Sequence, residues 1–306
     1  MLRILLALIC IMGPSSVKAS SLAIFSPVQF PPLVDSSYGL RLSILQGIHS
    51  KVYGLDISLG GSITKDHFGG AAFSTLYNWA NQSTVVGFQI AGLFNYNGKR
   101  SKVFGLQLAG LANVNRSKKG EGGGMQIAAL GNHSPGMRYG GLQLASLYNW
   151  AKTMAGVQIG LFNGAWTMAG VQYCLVCFAN SSYGAQMGLV SWARYSAGLQ
   201  FGLFARAEKA SVYQVAAVNH TKRIGGFQIG VLSNASYVYG GQISLFNRGS
   251  QVYGVQYGLV NIASHVAGYQ FGIINFTKTL KGFQFGLINI AVNAFLPFFP
   301  IINFGF

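Results

Sequence analysis

Acidic residues are scarce in this chain. Of 306 residues, 5 are Asp or Glu against 21 Lys or Arg, and charged residues of both signs make up 8%. The carboxylates, Asp35, Asp56, Asp66, Glu121 and Glu208, stand far apart in sequence. Catalysis needs positioned acids, bases or nucleophiles, and no constellation of them is present, so the expectation is a protein that is not an enzyme and holds no cofactor. Asp66-His67 is the one acid and base neighbour pair, and adjacent residues on an extended strand point opposite ways. Cysteine is almost absent as well: beyond Cys10 there is a single CxxC, Cys174-Leu-Val-Cys177. A metal site would want a second pair or histidines at ligand spacing, and thioredoxin-type chemistry would want a helix after the pair. The pair is retained as a candidate redox site, although a regular strand holds residues i and i+3 about 10 Å apart, beyond bridging range.

Long apolar runs are missing too. Mean hydropathy is high at +0.38, yet no stretch after the N-terminus reaches the length of a membrane-crossing helix. With only 7 Pro, and with Gly, Val, Ile, Phe and Tyr abundant, the composition indicates many short strands. The Gly-rich Lys118-Lys-Gly-Glu-Gly-Gly-Gly124 lacks the ending of a phosphate loop and reads as a flexible insertion.

The first residues are of a different kind. Arg3, an apolar run from Ile4 to Met12, Gly13-Pro14 and Val17-Lys18-Ala19 make residues 1–19 an expected secretory signal peptide. Ile9 before Cys10 does not supply the small residue that lipidation there would want. Removing Arg3 and Lys18 leaves 19 cations against 5 acids, near +14. A basic surface favours a membrane or an anionic surface polymer such as lipopolysaccharide or an acidic glycan. The cations are spread through turns with no nucleic-acid motif among them, and no nucleic-acid partner is expected.

What fills the rest of the chain is one phrase. Gly156-Val-Gln-Ile-Gly-Leu-Phe-Asn163, Gly254-Val-Gln-Tyr-Gly-Leu-Val-Asn261, Gly268-Tyr-Gln-Phe-Gly-Ile-Ile-Asn275 and Gly282-Phe-Gln-Phe-Gly-Leu-Ile-Asn289 are its cleanest copies. Gln158, Gln172, Gln256, Gln270 and Gln284 fall on a 14-residue step, as do Asn163, Asn247, Asn261, Asn275 and Asn289. A looser form with 15–19-residue units runs up to about residue 155, and degenerate copies surround Arg41, Asp56 and Ala72. Residues 20–37 stand outside the repeat as an N-terminal cap, residues 38–294 form the repeat domain, and residues 295–306 form an aromatic C-terminal cap or final strand. A fixed period of this kind marks a repeat architecture.

We number the leading Gly of each unit as position 1. Positions 2, 4 and 6 are apolar, positions 1, 3 and 5 are Gly, Gln and Gly, position 8 is usually Asn and position 10 is small. Such alternation is a β-strand with one apolar face. Two all-β folds would use it. A tandem-repeat β-solenoid of about 17 units would stack like on like at about 4.8 Å, with Gln and Asn as structural ladders. An up-and-down outer-membrane barrel of about 18 strands would turn the apolar positions to lipid. A barrel needs a steady register shift, which identical units in a meander do not accumulate. Its long loops should also alternate, whereas here those near 99–102, 118–123 and 133–139 are consecutive. The solenoid is the favoured expectation.

The run of GxQxGLxN units, Ser26-Pro-Val-Gln29 leading to Tyr38-Gly-Leu-Arg41 and Tyr53-Gly-Leu-Asp56, and the closing Pro300-Ile-Ile-Asn-Phe-Gly-Phe306 resemble the surface-repeat proteins of spirochaetes. The resemblance implies an exported bacterial protein at the outer membrane or cell surface, and it supplies no functional residues. The expected role is structural or interactive, with an outer-membrane pore as the alternative should the fold be a barrel. Uncovered apolar strand faces favour attachment to a membrane or partner. Aromatics near the turns (Tyr183, Trp192, Tyr195, Tyr237, Tyr239, Tyr253) would suit an interfacial girdle or a sugar-stacking strip.

Overall fold

The computed structural model describes residues 20–26, 28–30, 36–81, 84–98, 100–118 and 120–306. The expected signal peptide and Cys10 lie outside them. Their regular structure is β-strand throughout, wound into stacked parallel coils of a β-solenoid, about 16 turns in all. The chain divides into two compact units, Met1–Gly122 and Gly123–Phe306.

The first unit runs through β1 (Ser21–Phe25), β2 (Val28–Phe30), β3 (Ser37–Ser43), β4 (Gln46–Ser58), β5 (Gly61–Ser74), β6 (Tyr77–Ala80), β7 (Thr84–Ala91), β8 (Phe94–Asn97), β9 (Lys102–Ala109) and β10 (Ala112–Asn115). The strand β11 (Glu121–Ala128) begins at its end. Coil follows coil in parallel, with Gly70 opposite Gly87 and Gln89 opposite Gln107. Of the expected N-terminal cap, β1 stacks parallel on β3 and β2 folds back antiparallel on β1.

The second unit contains β12 (Gly131–Ala145), β13 (Tyr148–Ile159), β14 (Phe162–Ser196), β15 (Leu199–Ala210), β16 (Tyr213–Ile224), β17 (Phe227–Tyr257), β18 (Val260–Phe271), β19 (Ile274–Ala291) and β20 (Phe298–Gly305). Gly156 pairs with Gly170, Gln158 with Gln172 and Asn163 with Asn149, each repeat residue lying on its own kind. This parallel, in-register stacking overturns the barrel alternative, whose neighbouring strands would run antiparallel. At the far end of this unit β20 reverses direction, laying Asn303 against Gln284 and covering the last coil's open edge. Residues 298–305 are thus a final antiparallel strand, and Phe306 beyond it is 94% exposed.

The interior is filled from positions 3, 8, 10 and 13. At position 3 each Gln Nε2 donates to the Gln Oε1 of the preceding coil: Gln158 to Gln143, Gln172 to Gln158, Gln256 to Gln242, Gln270 to Gln256 and Gln284 to Gln270, at 2.7–2.8 Å. The chain of bonds is unbroken from Gln126 to Gln284. At position 8 the Asn ladder runs the other way. Asn149 donates to Asn163, Asn247 to Asn261, Asn261 to Asn275 and Asn275 to Asn289, each at 2.8 Å. Aligned side-chain amides in one ladder therefore oppose those in the other, and their dipoles partly cancel. Positions 10 and 13 supply the apolar core, including Ala165 and Met168 in one cluster and Ala263, Val266 and Leu280 in another.

Breaking a buried amide ladder is costly, because each orphaned donor or acceptor costs about 1–3 kcal/mol. Replacing Gln256 with Leu strands the Gln242 acceptor and the Gln270 donor. We expect a loss of about 2–3 kcal/mol, read as a lowered denaturant midpoint, against little change for Val255→Ile at the outward, half-buried neighbour.

Candidate functional site

The outward positions are sorted by chemistry. In the second unit, position 4 carries Ile159, Tyr173, Phe201, Ile229 and Phe271, position 6 carries Leu161, Leu203, Leu245 and Ile273, and position 7 carries Phe162, Phe204, Leu232 and Phe246. These side chains stand outside the coil, mostly between a third and two-thirds exposed: Leu203 is 49% exposed and Phe246 48%. Half-exposure is what stacking dictates, since the like residue one rung above and one below covers two sides of each side chain. Phe271 stacks on Phe285 and Tyr269 on Phe283, at ring separations of 5.1 and 6.0 Å. The first unit repeats the pattern with Leu42, Leu55, Ile57, Phe73, Phe88 and Leu108.

Charges keep away from this surface. In the described coils no Lys, Arg, Asp or Glu occupies positions 2, 4, 6 or 7. Outward charges of the second unit gather instead at positions 9, 11, 12 and 14, for example Arg206, Lys222, Arg223 and Lys281. The coil is therefore two-sided and reversed relative to its lining. Beneath the apolar outer face lie the Gln and Asn ladders, and beneath the charged outer face lie the alanines and the position-13 aliphatics. The Gln ladder and the runs of the Asn ladder, whose unmatched acceptors such as Asn247 Oδ1 and Gln284 Oε1 fall at the ends of runs, let the strand carry apolar residues on its outer side, because the inner side is held together by amide hydrogen bonds.

Of the aromatics singled out in the sequence, Trp192, Tyr183, Tyr239 and Tyr253 fall at the margins between these regions, and Tyr195 and Tyr237 fall within the charged one. Trp192 is at position 9, Tyr195 and Tyr237 at position 12, and Tyr183, Tyr239 and Tyr253 at position 14. Tyr239 and Tyr253 stack at 5.2 Å, and Trp192 packs on Phe178 at 4.4 Å.

Cys174 and Cys177 occupy positions 5 and 8 and form a disulfide with Cα atoms 5.6 Å apart. This corrects the expectation that a regular strand would hold them too far apart. The chain turns at position 5, as it does at Gly160 in the preceding coil, and a corner brings i and i+3 together. Cys177 is buried, and it interrupts the Asn ladder, which Ser191 and Ala205 continue to break. Asp66 and His67 are both exposed, not on opposite sides of a strand, because their own strand carries an extra residue between Thr64 and His67, opposite His49 to Lys51 of the facing coil, and the alternation breaks there. Among the described residues no cluster of His, Cys, Asp and Glu could hold a metal ion.

One constellation escaped the sequence reading. Arg41 and Asp56 fall opposite each other where later coils carry Gln. Arg41 Nε donates to Asp56 Oδ1 at 2.8 Å, its Nη2 reaches Oδ2 and Ser62, and both side chains are fully buried. His49 Nδ1 lies 3.3 Å from Arg41 Nη1. The pair is a charged version of a ladder rung, and its signal was the shared repeat position of the two residues.

On the charged side, His220 is held below its ordinary pKa, first by burial and then by the positive charges of Arg206 and Lys222. Comparison with family models, with curated proteins and with solved structures found no match.

Proposed function

We propose that this is a non-enzymatic, exported bacterial structural and interaction protein of the outer membrane or cell surface, attached to a lipid leaflet through its apolar coil faces. The observation that carries the reading is the exclusion of charge from positions 2, 4, 6 and 7 through the described coils. A surface apolar over so many consecutive rungs exceeds the scattered exposure of ordinary monomers and calls for cover. Three features favour lipid over a second protein copy. The backbone is already hydrogen-bonded coil to coil, as a lipid environment demands. Trp192 at position 9 and Tyr183, Tyr239 and Tyr253 at position 14 line the margins, where ring bodies meet tails and polar tips meet headgroups. The net charge, near +14 with residues 1–19 removed, complements an anionic surface. A face apolar on one side and charged on the other lies in the interface without crossing it.

Vesicle flotation tests the reading. Residues 20–306, purified in mild detergent and mixed with liposomes during detergent removal, are expected to float with the lipid and to stay there in high salt. Protein that leaves the vesicles as discrete dimers would assign the apolar face to self-association and overturn the proposal.

A further inference from the structure

The cations of the second unit are not evenly spread. Arg194, Arg206, Lys209, Lys222 and Arg223 crowd into three successive coils, while Arg138, Lys152, Arg248, Lys278 and Lys281 are scattered along the rest. Parallel register aligns the crowded group into columns. At position 12, Tyr195, Lys209, Arg223 and Tyr237 succeed one another rung by rung. The Lys209 ammonium lies over the Tyr195 ring at 5.4 Å and the Arg223 guanidinium over the Tyr237 ring at 5.2 Å. The two central cations are thus bracketed by tyrosines and held one strand spacing apart. At position 11, Glu208 lies between Arg194 and Lys222, at 3.4 and 3.6 Å. At position 9, Arg206 neighbours His220.

Neighbouring like charges at about 4.8 Å repel each other, and the stacking fixes the spacing of their backbones. Glu208 neutralises one charge of the group. Arg206, Lys209 and Arg223 form no ion pair among the described residues. The pKa of His220 is lowered first by burial, and the charges of Arg206 and Lys222 lower it further. Position 9 follows the apolar positions 6 and 7 by one inward residue, so Arg206 stands beside Phe204, and it is through Arg206 that the group adjoins the face assigned to lipid. Basic groups at the rim of an apolar face meet headgroups and not tails.

We propose that Arg206, Lys209 and Arg223 form a binding site for the phosphate of an anionic lipid headgroup. Lys209 and Arg223 hold phosphate oxygens between them, and Arg206 faces the same headgroup layer from the apolar margin. This rests on the membrane reading above and goes further by naming a place and a headgroup chemistry.

The test compares vesicles of phosphatidylcholine alone with vesicles containing one-third phosphatidylglycerol, using the chain 20–306 and two variants of equal charge loss. One variant is Lys209→Gln/Arg223→Gln, and the control is Lys152→Gln/Lys278→Gln. All the substituted residues are outward and leave the ladders intact. The unaltered chain is expected to prefer anionic vesicles. The site variant should lose about thirtyfold of that preference, from roughly one fivefold step per cation at the surface, while its binding to neutral vesicles is unchanged. The control should lose much less. If both variants lose the same amount, net charge and not a site is responsible. If the chain shows no anionic preference, the headgroup site is wrong and the lipid attachment stands. If it binds neither vesicle, the attachment itself fails.

Discussion

Gly254→Ala is expected to cost about 4 kcal/mol or more, enough to leave much of the second unit unfolded at ambient temperature. Gly254 has φ of 143°, a conformation that an L side chain rarely adopts, and a Cβ there would sit inside contact distance of the Gly240 carbonyl directly beneath it. Both costs arise from the solenoid. The positive φ turns the chain into the next side of the coil, and the close carbonyl belongs to the rung below. Neither neighbour can give way, because Gly240 and Gly268 have the same geometry and the same constraint. Val255→Ala at the adjacent outward, half-buried position should cost only about 1 kcal/mol. Urea unfolding of the two variants, followed by far-UV circular dichroism, measures the difference. Equal midpoints would mean that position 1 is not a stacked corner.

The largest expected effect on binding comes from the apolar face. Leu203, Leu245 and Ile273 share position 6 on non-adjacent coils, and each is close to half-exposed. Replacing all three with Lys removes no interior contact, so the thermal midpoint should move by only a few degrees. Lipid attachment should nevertheless weaken by about 5 kcal/mol, more than a thousandfold, from lost apolar burial and from charges placed against the tails. A variant that stays folded and still floats with vesicles would place the lipid contact elsewhere on the coil. A fold that collapses would show that position 6 faces inward.

The amount of this structure legible from the sequence follows from what repetition encodes. Identical environments select identical residues, so the Gln and Asn columns and the apolar faces stand out along the chain, and the solenoid follows from a period that accumulates no shear. Features that occur once have no such voice. The Arg41–Asp56 pair needs the register carried through two irregular units before its partners can be seen as neighbours. The Cys174–Cys177 bridge depends on a corner at position 5, which period-two alternation conceals by reading positions 1 to 8 as one straight strand. The aliphatics at position 13, Met154, Met168, Val252 and Leu280 among them, are varied in type and so leave no repeated letter, although they form the apolar core. The basic columns were read as dispersed turn charges because separation along the chain conceals closeness across rungs.

Outward sorting of the coil is the central claim, and site-directed spin labelling tests it most directly. In a chain whose native cysteines are replaced by serine, labels at Leu232, Phe246 and Val260 report position 7 on three consecutive coils, and labels at Ser236, Ser250 and Ser264 report position 11 on the same coils. On anionic vesicles the first three should collide freely with oxygen and little with a water-soluble nickel complex, and the second three should show the reverse. High nickel accessibility at Leu232, Phe246 and Val260 in the vesicle-bound protein would contradict the account.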